Sequence, residues 1–151
     1  MSAASPQAYL RTKVLTASPA ELRMLLLDGA IRFAEQTKLG YESKDFEGAF
    51  SATTKCQAIL TELICSLQSK HNPALCERMT ALYTYMYKRL VEASLQRTVE
   101  PVQEVIGLLQ YDRETWEMLM KEVKAGAVAS PIAMETPIEG SDQAPRFSVQ
   151  A

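Results

Sequence analysis

The side chains that most often carry out chemistry in proteins are scarce in this sequence. The chain has one histidine, His71, and three cysteines. His71 directly precedes Asn72 and Pro73, which predict a turn, so it does not occupy the mid-helix position of a phosphotransfer histidine. The cysteines form no CxxC pair of the kind that zinc sites use. We therefore predict reduced, buried thiols for this set, which comprises Cys56, Cys65 and Cys76.

Sequence motifs for cofactors and catalysis are missing as well. There is no GxxxxGK[ST] or GxGxxG loop for phosphates, and no Glu-x-x-His pair of the kind that metal-binding helical bundles use. Gly29 and Gly107 fall inside helical patterns, where we expect them to allow close helix approach rather than ligand binding. The sequence predicts a protein that is not an enzyme and binds no cofactor or metal.

The composition fits one globular domain in the cytoplasm. The chain has 151 residues, of which 47% are hydrophobic and 23% charged, and a net charge of −2. This charge argues against nucleic acid as a partner, because proteins that bind it concentrate Lys and Arg on one face. No apolar stretch is long enough for a membrane span or a secretory leader, so we expect no membrane insertion.

Helical periodicity organises the central part of the chain. Ser18, Pro19 and Glu21 together predict a capped helix start, and Asn72 with Pro73 repeats the cap-and-proline pattern. Apolar residues then recur at steps of three or four in four segments. These predicted helices span residues 19–38, 45–69, 73–96 and 101–124.

Both ends of the chain lack such a pattern. Residues 1–17 predict an extended N-terminal arm, and residues 126–151, rich in proline and small residues, predict a disordered tail. Short connections between long helices favour antiparallel neighbours. The predicted fold is therefore all-α: an antiparallel, up-down four-helix bundle over residues 18–125.

The third and fourth predicted helices carry more apolar and aromatic surface than a core requires. If Tyr83 and Met86 point inward, Tyr85 and Tyr87 must lie on opposite flanks of their helix. Asp112 falls within an apolar sector, where an unpaired carboxylate would be costly. Either it pairs with Arg89 or a nearby tyrosine, or this sector faces a groove that is open to solvent or to a partner.

The order of motifs resembles the FliS family of flagellin-specific export chaperones. The resemblance begins with Tyr9-Leu10 and Thr16-Ala17-Ser18-Pro19, followed by Leu22, Leu26-Leu27-Asp28-Gly29-Ala30 and Phe33. It continues in Tyr85-Met86-Tyr87-Lys88-Arg89-Leu90-Val91-Glu92-Ala93 and in Arg113 with Trp116. The sequence departs from the family pattern at Leu27, Ser94 and Asp112.

The resemblance implies a helical bundle that binds the C-terminal segment of flagellin in the cytoplasm. It implies that binding prevents premature polymerisation and keeps flagellin competent for flagellar type III export. A co-chaperone or an export-gate component is a further partner under this reading, and a homodimer is compatible with it. The predicted groove or groove-supporting residues are Leu82, Tyr85, Met86, Arg89, Leu90, Val105, Leu108, Leu109 and Trp116.

Two further hypotheses remain open from the sequence. Apolar residues of the arm, namely Tyr9, Leu10, Val14 and Leu15, are predicted to cover exposed apolar surface when no client is bound. The alternative to a chaperone is a helical adaptor that assembles with itself and never holds an unfolded client.

Overall fold

The computed structural model describes residues 5–67, 70 and 72–126, and all five of its regular elements are α-helices. His71 and residues 127–151, which include nearly all of the predicted tail, lie outside the described residues. The helices are α1 (Pro6–Thr16), α2 (Pro19–Glu42), α3 (Phe46–Cys65), α4 (Pro73–Gln96) and α5 (Glu100–Lys124).

Side-chain caps fix the starts of three of the long helices. At α2, the Ser18 hydroxyl accepts from the Glu21 amide while the Glu21 carboxylate accepts from the Ser18 amide, which completes a capping box. The Asp45 carboxylate accepts from the Gly48 amide at α3. Asn72 caps α4 through the amide of Leu75. Each cap satisfies an amide that has no partner within its helix.

The N-terminal arm differs from the predicted extended conformation, because Pro6–Thr16 is helical. Ser5 caps this helix by accepting from the Ala8 amide at 3.0 Å, and Pro6 opens it. This is the same cap-and-proline pattern that begins α2. The apolar residues of α1 do not line one side of the helix, so periodicity does not detect it, and none of its residues is buried.

Two helix ends also differ from the predicted boundaries. α2 continues through Gly40 to Glu42, past the predicted end at residue 38. A Cβ at Gly40 would lie 2.8 Å from the Ala49 Cβ, so this glycine allows α2 and α3 to approach closely. α3 ends at Cys65 rather than near residue 69, and the Ser66 amide closes its last turn on Glu62.

The long helices pack in a ring, since α2 and α4 each contact both α3 and α5. Polar contacts also cross between helices: the Thr53 hydroxyl lies 3.1 Å from that of Thr37, and Arg113 forms an ion pair with Asp28. The largest apolar side chains with no exposure are Leu27, Leu60, Leu63, Tyr83, Met86, Leu90 and Leu109.

The two helical glycines have different surroundings. A Cβ at Gly29 would come within 3.1 Å of the Ile59 Cδ1, in agreement with the predicted close approach of two helices. A Cβ at Gly107 would meet nothing within 4 Å, so the same prediction for Gly107 is wrong. Gly107 is exposed and has no neighbouring helix to accommodate.

Candidate functional site

The candidate site is a seam on the molecular surface between α4 and α5. α4 contributes Leu82, Tyr85 and Arg89, and α5 contributes Glu104 and Leu108. The Tyr85 ring is 44% exposed, whereas Leu82 and Leu108 are partly buried against the core. We call this surface, together with Tyr111, the α4/α5 face.

Glu104 joins the two helices of this face. Its carboxylate accepts from the Tyr85 hydroxyl at 2.7 Å and from the Arg89 Nε, also at 2.7 Å. The hydrogen bond from Tyr85 and, to a smaller extent, that from Arg89 lower the pKa of Glu104. The hydrogen bond between Tyr85 and Glu104 also raises the pKa of Tyr85. Arg89 also pairs with Glu92 on its own helix. The aromatic ring and the guanidinium are thus held in place before any partner arrives.

Five of the predicted groove residues lie in the core rather than on the surface. Four of them have no exposure and Trp116 is 5% exposed. They can support the α4/α5 face from below, but in this conformation they cannot touch a partner on that face. The four with no exposure are Met86, Leu90, Val105 and Leu109.

Tyr111 is a surface residue that the sequence reasoning missed. Its side chain is 71% exposed. Its spacing of three residues from Leu108 and seven from Glu104 places it on the same flank of α5. That spacing was the available signal, and it extends the aromatic surface of the α4/α5 face.

Asp112 is paired inside the molecule, and its partners only partly match the prediction. The Tyr83 hydroxyl donates to its carboxylate at 2.5 Å, which agrees with the expected tyrosine. Arg89 does not reach it. Instead, the buried Arg23 donates to the Tyr83 oxygen, and its guanidinium lies 5.5 Å from the Tyr83 ring centre and 5.1 Å from that of Trp116.

Burial controls the acid–base behaviour of this cluster. It raises the pKa of Asp112, although the Tyr83 hydrogen bond and the Arg23 charge act in the opposite direction. Burial also raises the pKa of Tyr83 and brings that of the Cys56 thiol to about 12. All three groups make contacts between helices, since Tyr83 of α4 donates to Asp112 of α5 and the Cys56 thiol of α3 donates to the Ala30 carbonyl of α2.

A second set of exposed apolar residues lies on the other flank of α4. Tyr87, Val91 and Leu95 follow one another at steps of four and are 39%, 40% and 80% exposed. Gln57 of α3 donates to the Tyr87 carbonyl oxygen, so this flank borders α3. α3 adds Phe50, which is 67% exposed. We call these four residues the α3/α4 face.

The arm residues do not cover either face in this structure. Tyr9, Leu10, Val14 and Leu15 are between 39% and 75% exposed. The last turn of α1 instead lines a cleft of about 330 Å³ with α2 and α5, through Lys13 and Thr16.

Within the described ranges, no cluster of three or more metal-ligating side chains occurs. Across the same part of the chain, no helix has the length and apolar character that a membrane crossing needs.

These features place the chain among small all-α proteins that carry an amphipathic surface between two long helices. A family model described as "Flagellar protein FliS" matches residues 1–123. The chain therefore belongs to the FliS family, which confirms the resemblance of its motifs.

Curated relatives agree with this family. The "Flagellar secretion chaperone FliS" of Bacillus subtilis is 32% identical over 114 residues, which cover 76% of this chain and 84% of the relative. The protein of the same description from Salmonella typhimurium is 29% identical and covers 75% and 84%. That from Escherichia coli is 28% identical and covers 77% and 89%.

Proposed function

We propose that this protein is a cytosolic export chaperone for flagellin. It binds the C-terminal helical segment of flagellin, prevents premature polymerisation and keeps the subunit competent for flagellar type III secretion. Membership of the FliS family and the chaperone descriptions of its relatives support this role. In the same proposal the protein catalyses no reaction and needs no cofactor.

The observation that carries the proposal is the apolar and aromatic character of the α4/α5 face. Tyr85 and Tyr111 expose large rings, and Leu82 and Leu108 lie half-buried beside them. An amphipathic client segment would fold as a helix and bury its apolar side along this seam. The entropy cost of ordering the client would offset part of the gain from burial.

The residues of the site have two kinds of role in this proposal. Leu82, Tyr85, Arg89 and Leu108 contact flagellin directly. The buried residues act by holding the two helices at the spacing that the face requires, and they comprise Met86, Leu90, Val105, Leu109 and Trp116.

Alanine substitutions at Tyr85 and Leu108 test this assignment. Each variant should weaken binding of the flagellin C-terminal segment by about tenfold, because each removes apolar contact area at the centre of the face. The matched control is Tyr87→Ala, since Tyr87 is a tyrosine of similar exposure on the opposite flank of α4. Isothermal titration measures all three affinities, with circular dichroism as the check of folding.

Unchanged affinity in both Tyr85→Ala and Leu108→Ala would exclude the α4/α5 face as the groove. A loss confined to Tyr87→Ala would move the client to the α3/α4 face instead.

We also infer that α2 to α5 form an antiparallel, up-down four-helix bundle. The Cys56 thiol donates to the Ala30 carbonyl, and the Thr53 hydroxyl donates to that of Thr37. The later residue of α2 thus contacts the earlier residue of α3, which supports opposite directions for these two helices. The hydrogen bond between the start of α2 and the end of α5, from Trp116 to the Ala20 carbonyl, supports the same for those helices.

The arm has a regulatory role in this proposal. Tyr9, Leu10, Val14 and Leu15 cover apolar surface of the bundle when flagellin is absent, in a second conformation that differs from the described one in the position of α1. Their exposure in the described conformation leaves them free to make that contact after a movement of α1.

One observation favours the alternative of a self-assembling adaptor. The α3/α4 face offers an apolar stripe to a second copy, a co-chaperone or an export-gate component. If light scattering found a stable oligomer and titration found no binding of the flagellin segment, the adaptor would be the better account.

A further inference from the structure

An apolar pocket of about 200 Å³ lies between the start of α2 and the end of α5. Its apolar lining is made by Ala20, Trp116, Leu119, Met120 and Val123. It shares Trp116, a support of the α4/α5 face, but none of its other lining residues belongs to the α4/α5 face or the α3/α4 face.

The chain leaves α5 directly beside this pocket. Gly126 has φ +77°, and its amide donates to the Val123 carbonyl at 3.0 Å. A glycine in this left-handed conformation after a helix turns the following chain back over the last helical turn, often with an apolar contact to it. Val123 belongs both to that turn and to the pocket lining.

The residues that follow have the composition to fill such a pocket. Residues 127–134 read Ala-Val-Ala-Ser-Pro-Ile-Ala-Met and contain no charged side chain; the next charge is Glu135. Ile132 is the sixth residue after Gly126, so the chain between them can span up to about 20 Å. Trp116 lies ten residues before Gly126, a distance of only about 15 Å along a helix. Ile132 and Met134 are therefore within reach of Trp116.

We propose that residues 128–134 dock into the α2/α5 pocket of the same molecule. Ile132 and Met134 are the side chains that enter it, against Trp116 and Met120. The segment closes an apolar opening that would otherwise be exposed to solvent. This inference goes beyond the chaperone role and does not depend on flagellin binding.

Trp116 gives a direct readout because it is the one tryptophan of the chain. The full-length double variant Ile132→Asp with Met134→Asp should shift Trp116 emission to the red and increase its quenching by acrylamide. The matched control, Phe147→Asp with Val149→Asp, alters two apolar residues of the same tail outside the proposed segment. This control should leave both signals unchanged, and circular dichroism should show equal helicity in all three proteins.

A second measurement uses the unaltered protein and needs no variant to fold. Nuclear Overhauser contacts between the Ile132 methyl groups and the Trp116 ring should appear, and their intensity per molecule should not change on dilution. Absence of these contacts, or equal Trp116 quenching in the two double variants, would overturn the proposal. Contacts that weaken on dilution would also overturn it, because they would assign the pocket to a second copy.

Discussion

Arg23 is the largest of the fully buried side chains. It connects three helices through a series of polar contacts. It donates to Tyr83, which in turn donates to Asp112, so α2, α4 and α5 meet at this cluster. The sequence showed that Asp112 needed a partner, because it falls in an apolar sector. It could not show that Arg23 supplies the charge, since that contact joins residues far apart in sequence.

The Asp112 carboxyl should make stability depend on pH. Because burial raises its pKa in the folded state, the unfolded chain loses this proton first as the pH increases. The free energy of unfolding should therefore fall as the pH rises from about 4 through the raised value. The Asp112→Asn variant lacks this pH-dependent contribution to stability. In urea unfolding at a series of pH values, the wild type should therefore lose stability relative to the variant as the pH rises. A difference that stays constant with pH would contradict this assignment.

At the scale of the elements, local caps made several helix starts predictable. Ser18 with Pro19 and Asn72 with Pro73 are complete signals within a few residues, and α2 and α4 begin there. α1 starts with a similar signal at Ser5 and Pro6. Its apolar residues do not line one side of the helix, however, so helical periodicity does not reveal it. The end of α2 depends on how Gly40 packs against Ala49, and that tertiary contact is invisible in the local sequence.

The two glycines at Gly40 and Gly107 should respond in opposite directions to alanine. Gly40→Ala places a Cβ within 3.0 Å of Ala49 backbone atoms and should lower the free energy of unfolding. We expect a loss of about 1–3 kcal/mol from this overpacking. Gly107→Ala should raise stability by about 0.5–1 kcal/mol, because it adds helix propensity in open space. Urea denaturation measures both, and equal effects would contradict the packing described for α2 and α3.

Deleting residues 2–14 tests the regulatory role of α1. Because α1 has no buried side chain in the described conformation, the bundle should remain folded after the deletion. Flagellin affinity should rise, or the protein should associate with itself, once the covering residues are gone. Titration and light scattering report these outcomes. If neither changes, α1 serves only as a tether.

At the scale of the whole molecule, two exposed faces flank α4. The α4/α5 face joins aromatic rings to an ion-paired Glu104, and the α3/α4 face presents Tyr87, Val91 and Leu95 without such pairing. The sequence predicted the opposite flanks of Tyr85 and Tyr87. It also placed Met86 inward, and the structure buries this residue. The predicted set nevertheless combined groove residues with groove-supporting ones, because spacing along one helix does not show how deeply a neighbouring helix covers each position.

The most direct test of the account is isothermal titration of the full-length protein with the C-terminal segment of flagellin from the same organism, followed in parallel by circular dichroism. A chaperone that folds its client onto a groove predicts saturable binding near one to one with a gain in helicity. Absence of binding while the protein keeps its helical spectrum would contradict the account and favour the self-assembling adaptor.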